Sequence, residues 1–294
     1  MKRGIAFAAL AVVLVIAGIL AFTSPPRLLS FYDRVEGGTA GARLVAEGVA
    51  FGSHGQTLDI WAPEMPAQVP LPVVVFWYGG GWAKGDRASY AFAGRALARE
   101  GFLVVIPDYR KVPDVLFPAF LDDGAEAVAW VEDNIAEHGG DPMRLGFMGH
   151  SAGAYQAVML GLDSKRLVAA GADPGIVKAA VGLSGPYDFY PFDKPRSIAA
   201  FGQWPRPDET QPIAFARADA PSMLLVTSEG DETVRPKNAN NLAAKLRGLG
   251  APVEVKNYGP LDHEEIVMAL SVPFRRKGPV LADSVTFLKA QLGQ

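Results

Sequence analysis

Hydrophobic positions along this chain gather into short, nearly unbroken runs. LPVVVFWY (71–78), FLVVIPDY (102–109), RLGFMG (144–149), AAVGLSG (179–185), SMLLVTS (222–228) and VEVKNY (253–258) each have the length of a strand. Runs of this kind read as strands buried on both faces. Between most of them the period changes. In LDDGAEAVAWVEDNI, Leu121, Ala125, Val128, Val131 and Ile135 recur at steps of four and three, which is one face of a helix. Leu242, Leu246 and Leu249 form a second such stripe, ended by Gly250. Earlier, RLVAEGVAFG and TLDIWAP flank the turn-like SHGQ and predict a hairpin. Alternating strands and helices predict an α/β domain with a mostly parallel sheet covered on both faces.

Two stretches break the pattern. Residues 186–220, between AAVGLSG and SMLLVTS, are rich in proline and carry Tyr187, Phe189, Tyr190, Phe192, Phe201, Trp204 and Phe215. A loop of this length in a compact domain is functional or disordered, and its aromatics argue against disorder. It reads as a cap over a substrate pocket, or as rings that pack the insertion onto the sheet. At the other extreme, residues 1–23 place Lys2 and Arg3 before an uncharged apolar run from Gly4 to Phe22, closed by Ser24-Pro25-Pro26. That run is long enough to span a bilayer as a helix, and Ala21-Phe22-Thr23 makes a poor cleavage site. The segment is expected to be an uncleaved signal anchor, with a cleaved signal peptide as the alternative. In both cases the basic end stays cytoplasmic and the following domain is exported. Residues 24–42 read as a tether and 43–294 as one catalytic domain.

Composition narrows the classes. The 28 basic residues against 31 acidic ones give a net charge of -3, and no basic stripe marks a nucleic-acid surface. The hydrophobic fraction of 49% supports a sizeable core. There are no cysteines, so disulfides, thiolate metal sites and a cysteine nucleophile are excluded.

The chemistry lies where strands end. Gly149-His150-Ser151-Ala152-Gly153 is a G-x-S-x-G sequence that follows an apolar strand and opens a small-residue helix. In that context a sharp turn pushes the serine hydroxyl out of the sheet edge, which makes Ser151 a candidate nucleophile. A serine needs a base and a group to orient the base. Of the four histidines, His54 lies in the hairpin turn, His138 at a Gly-Gly loop and His150 beside the serine with its side chain expected to point away. His263, just after the last strand, remains. HEEIV at 263–267 lacks the second histidine of a zinc H-E-x-x-H site, so no metal is expected there. Asp231, beyond SMLLVTS, is the candidate acid, with Glu229 as the alternative. The glycines of VVVFWYGGGW then acquire a use, since backbone N–H groups from Tyr78-Gly79-Gly80-Gly81-Trp82, with that of Ala152, would stabilise a developing oxyanion.

YGGGW, PDYR at 107–110, FPAFLDDGAEAVAWVEDN, GHSAGA and the Asp231 and His263 loops together resemble the α/β-hydrolase superfamily. The similarity is greatest to the hormone-sensitive-lipase-like carboxylesterases and the bacterial acetyl and feruloyl esterases, over roughly residues 45–292. The resemblance implies about eight strands, a triad of Ser151, Asp231 and His263, an oxyanion hole from Gly80, Gly81 and Ala152, and no cofactor. It also implies a small-molecule ester as substrate, with an amide or formamide hydrolase and an inactive binding protein of the same fold as rival readings. Tyr78 stands where the family's glycine loop usually begins with histidine. Its hydroxyl is expected to hydrogen-bond that loop, with ordinary core packing at the end of a strand as the alternative. The segment before the first strand is too short for the lipase-like N-terminal cap, which places more of the pocket on residues 186–220.

Overall fold

Eight strands form one sheet in the order β1-β2-β4-β3-β5-β6-β7-β8. In the computed structural model, which describes residues 24–293, they are β1 (Ala42–Phe51), β2 (Gln56–Pro63), β3 (Leu71–Trp77), β4 (Leu103–Pro107), β5 (Gly140–His150), β6 (Val177–Leu183), β7 (Ser222–Thr227) and β8 (Val253–Asn257). The β1/β2 hairpin joins antiparallel at β4, and every pairing from β4 to β8 is parallel. The helices are α1 (Pro25–Asp33), α2 (Ala91–Ala98), α3 (Ala119–Asn134), α4 (Ala152–Leu162), α5 (Ser164–Ala169), α6 (Pro195–Phe201), α7 (Lys237–Gly248), α8 (His263–Met268) and α9 (Val280–Leu292). Helices α2 and α9 touch each other and cover one face, while α3 and α4 pack together on the other. Double coverage explains the continuous apolar runs: Val73 to Trp77 are all fully buried.

The helical face expected on α3 is the buried one, from Leu121 through Val131 to Ile135. In α7, Leu242 and Leu246 are buried but Leu249 is 44% exposed, because the helix closes at Gly248 and the chain turns at Gly250 with φ of 80°.

Residues 24–42 differ from the expected tether. Pro25–Asp33 is helical, with Pro25 and Pro26 in the first turn where their missing N–H groups cost nothing. The helix packs on α2 and on the Ala88–Tyr90 turn. Asp33 fixes it there: one carboxylate oxygen accepts from Arg95 Nη2 at 2.7 Å and Nε at 3.1 Å, and the other from the Val272 N–H at 2.8 Å. These partners lie far away in sequence, so no local pattern announced the contact. The expected membrane segment, residues 1–23, lies outside the described residues. Among those described, no helix is long and apolar enough to cross a membrane.

The expected cap, residues 186–220, forms α6 and two 3-10 turns, Pro207–Thr210 and Pro212–Phe215. Most of its rings pack inward, while Tyr190 is exposed. Phe201 contacts Trp82, Phe117, Phe120 and Tyr155 at centroid distances of 4.7 to 5.6 Å.

Candidate active site

The sheet topology decides where loops can meet. From β3 the chain leaves to β4 on one side, and β5 joins on the other, so the crevice at the carboxyl ends of β3 and β5 is a switch point. The β3/β5 ladder ends with Trp77 opposite Gly149. Residues 78–81 and 150–151 therefore leave the sheet side by side.

Ser151 occupies the turn from β5 into α4, with φ of 56° and ψ of -118°, a conformation that costs an L-residue energy. The motif glycines make the turn sterically possible. A Cβ on Gly153 would strike the Trp77 carbonyl, and one on Gly149 would strike Gly153. The Ser151 N–H donates to the Leu183 carbonyl at 2.9 Å, which ties the elbow to the neighbouring strand.

Across the crevice, Ser151 Oγ lies 2.8 Å from His263 Nε2, and His263 Nδ1 lies 2.8 Å from Asp231 Oδ2. The other oxygen of Asp231 accepts from the N–H groups of Thr233 at 2.9 Å and Val234 at 2.7 Å. Burial pushes this carboxyl's pKa up, but its hydrogen bond to His263, the attraction of that ring and the Val234 amide outweigh the effect and hold it below the ordinary value. An ionised carboxylate only accepts, so the proton sits on Nδ1 and leaves Nε2 free to take one from Ser151. The structure thus brings together the three side chains expected from the sequence. Glu229 is not among them: it is exposed and accepts from Asn257 Nδ2 at 2.5 Å.

Two features of this arrangement escaped the sequence reading. His263 opens a helix whose N-cap, Asp262, accepts from the Glu265 N–H at 2.7 Å, while Glu265 accepts from the Asp262 N–H at 3.0 Å. DHEE carries the spacing of this reciprocal cap, a signal that was available. Ser228, fully buried, lies 2.6 Å from both the Gly259 and Leu261 carbonyls, and so joins the acid's loop to the histidine's. Its partners are brought near only by the β7/β8 pairing.

The glycine loop turns sharply, with φ of 133° at Gly80, 60° at Gly81 and 59° at Trp82. Trp82 anchors it by burying its ring against Phe201, Tyr155 and Phe189. Among the described residues, the N–H groups of Gly80, Gly81 and Ala152 donate to no protein acceptor. Fixed, unpaired amides beside a serine are suited to a negatively charged oxygen.

Of the two readings of Tyr78, the structure matches core packing at the end of the strand and not loop anchoring. Its hydroxyl donates to Asp108 Oδ1 at 2.8 Å, away from the glycine loop, because the ring continues β3 into the core and stacks on Tyr109. His150 touches the loop instead: its Nδ1 would lie 2.8 Å from a Cβ on Gly79.

Residues 58–246 match the family model described as BD-FAE. The chain is 44% identical to carboxylesterase NlhH of Mycobacterium tuberculosis over 225 residues, 69% of each chain. It is 27% identical to esterase LipQ of the same species over 79% of this chain and 59% of that one. The chain spans about a third to three-fifths of the length of the first curated relatives it matches. Among solved structures, a Pyrobaculum calidifontis esterase superimposes with a TM-score of 0.71 at 21% identity, covering 94% of this chain and 97% of that one. That likeness is one of fold.

Proposed function

This chain belongs to the BD-FAE family, and on that premise we propose that it is a serine hydrolase of carboxylic esters, working through an acyl-enzyme on Ser151. The observation that carries the reading is the unbroken chain of 2.8 Å contacts from Ser151 through His263 to Asp231. His263 Nε2 takes the Ser151 hydroxyl proton as Oγ attacks the ester carbonyl. The carbonyl electron pair moves onto oxygen, where the amides of Gly80, Gly81 and Ala152 receive it. The C–O bond to the alcohol then breaks, with His263 returning the proton to the leaving oxygen. Water repeats the sequence on the acyl-enzyme and releases the acid. Asp231 holds the ring and stabilises its charged form throughout.

Ester chemistry, rather than amide hydrolysis, is favoured by the names of the relatives, esterase and carboxylesterase. The reading extends to the chain's organisation: a domain over 43–294 with residues 186–220 as its cap, exported and held at a membrane by the apolar run of residues 1–23, whose basic Lys2 and Arg3 support that orientation. A panel of p-nitrophenyl esters and anilides, run beside fluorophosphonate labelling, tests the chemistry. Esters cleaved, anilides spared and labelling abolished by Ser151→Ala is the expected result. Labelling that survives the substitution overturns it. For location, a fusion of residues 1–45 to alkaline phosphatase is expected to be active and carbonate-resistant in a bacterial host.

A further inference from the structure

The cap lays a cation on the glycine loop. Arg196, in the first turn of α6, is exposed, and its side chain runs across Gly81. Its Cδ lies 2.5 Å, its Nη1 3.3 Å and its Nε 3.4 Å from where a Cβ of Gly81 would stand. Gly81 has no Cβ, so the stem rests on bare backbone beside the unpaired amides. Any side chain there would drive the guanidinium off the loop.

The guanidinium has no counter-charge. Among the described residues no carboxylate lies within ion-pair distance of Arg196 and no acceptor bonds it. Arg87 is engaged with Asp59 and Asp108, Arg110 with Asp123 and Arg206 with Glu209, while among the described residues Lys84 and Arg235 also carry no ion pair. The adjacent Asp193 and Lys194 cancel in charge. Arg196 thus sets a planar guanidinium on the glycine loop, whose Trp82 ring packs on Phe189 and Phe201 of the cap.

Resting on the ester-hydrolase reading above, we propose that Arg196 is a substrate-carboxylate contact, and that the preferred esters carry an anionic carboxylate within reach of the scissile carbonyl. Guanidinium matches carboxylate in two parallel hydrogen bonds. A neutral ester leaves the fork with water alone. The carboxylate belongs to the acyl or to the alcohol part, and two substrate pairs separate these sources. For the acyl side the pair is p-nitrophenyl hydrogen glutarate and p-nitrophenyl valerate. For the alcohol side it is para-acetoxybenzoate and para-cresyl acetate.

The readout is the ratio of kcat/KM, anionic over neutral, within each pair. In Arg196→Ala the ratio for one pair is expected to fall roughly ten- to hundred-fold, the worth of a hydrogen bond to a charged group. Arg196→Lys keeps part of it and Arg196→Glu lowers it further. Added salt shrinks the wild-type ratio. Ratios that stay the same in both Arg196→Ala and Arg196→Glu overturn the inference, as does an equal loss on both members of each pair. Hydrolysis that persists in Ser151→Ala overturns the underlying function, whatever the ratios.

Discussion

His150 Nε2 lies 3.0 Å from the backbone carbonyl of His263, and the two rings sit 4.8 Å apart. A carbonyl only accepts, so Nε2 of His150 carries the proton. Its Nδ1 faces Gly79 with no partner among the described residues. One imidazole therefore spans the serine's elbow, the start of the glycine loop and the base. The ring stays neutral, since burial first, and the neighbouring His263 second, push its pKa from 6.5 down to about 3.

That depression sets a pH dependence of stability. Between about 3 and 6.5 the unfolded chain holds the proton that folded His150 refuses. The stabilisation is fully present above pH 6.5 and lost as pH falls towards 3, at up to about 1.4 kcal/mol per pH unit. His150→Gln keeps a donor for the carbonyl but does not titrate. Urea midpoints measured across this window should fall less steeply in His150→Gln than in the wild type.

Tyr78→Phe removes the hydrogen bond to Asp108 and leaves the glycine loop's own contacts in place. Asp108 keeps Arg87 as a partner. Stability is expected to drop by about 1.5–3 kcal/mol, the range for a hydrogen bond to a charged group. The value of kcat on a good ester should move by less than about threefold, far below the hundred- to thousand-fold loss of an oxyanion donor. A large fall in kcat at constant KM would return the hydroxyl to the loop-anchoring role suggested by the sequence.

Tyr78 also shows where sequence reading stops. Ser151 and the glycines were legible because each motif is local, with strand, turn and helix start within a dozen residues, whereas the acid and the histidine were narrowed by chain order and by the small number of histidines. Partners such as Asp108 for Tyr78, Asp123 for Arg110 and Gln56, or Arg95 for Asp33 are selected by strand order and helix packing, which hydropathy does not encode. The same limit hid the docking of α1, since of Leu28, Leu29, Phe31 and Tyr32 in PPRLLSFYD only Leu29 is buried, and its most buried residue is the charged Asp33. Trp82 was visible as a residue but not as the pin of the glycine loop, because its neighbours Phe201 and Tyr155 come from two other segments.

Asp33 and Arg95 are 1% and 2% exposed. Removing one member of so buried a pair leaves the other charge without compensation, at about 3–5 kcal/mol. Asp33→Ala also strips the acceptor from the Val272 N–H, close behind α8. A fall of that size in denaturant stability is expected, visible as a lower midpoint at unchanged slope. A loss under about 1 kcal/mol would mean that α1 is dispensable to the folded domain.

Asp231→Asn tests the choice of acid. With an amide in place of the carboxylate, the side chain can present an N–H to His263 Nδ1. The ring's proton is then driven to Nε2, where it can no longer accept from Ser151. The expected loss in kcat is about four orders of magnitude with the fold retained, since the Thr233 and Val234 amides still find the Asn carbonyl oxygen. Glu229→Gln disturbs only a surface contact with Asn257 and should change kcat by less than about threefold. Single-turnover and steady-state rates for the two variants on one ester decide between the carboxylates. If Glu229→Gln carried the large loss, the 2.8 Å contact between His263 and Asp231 would be structural, and the base would take its orientation from elsewhere.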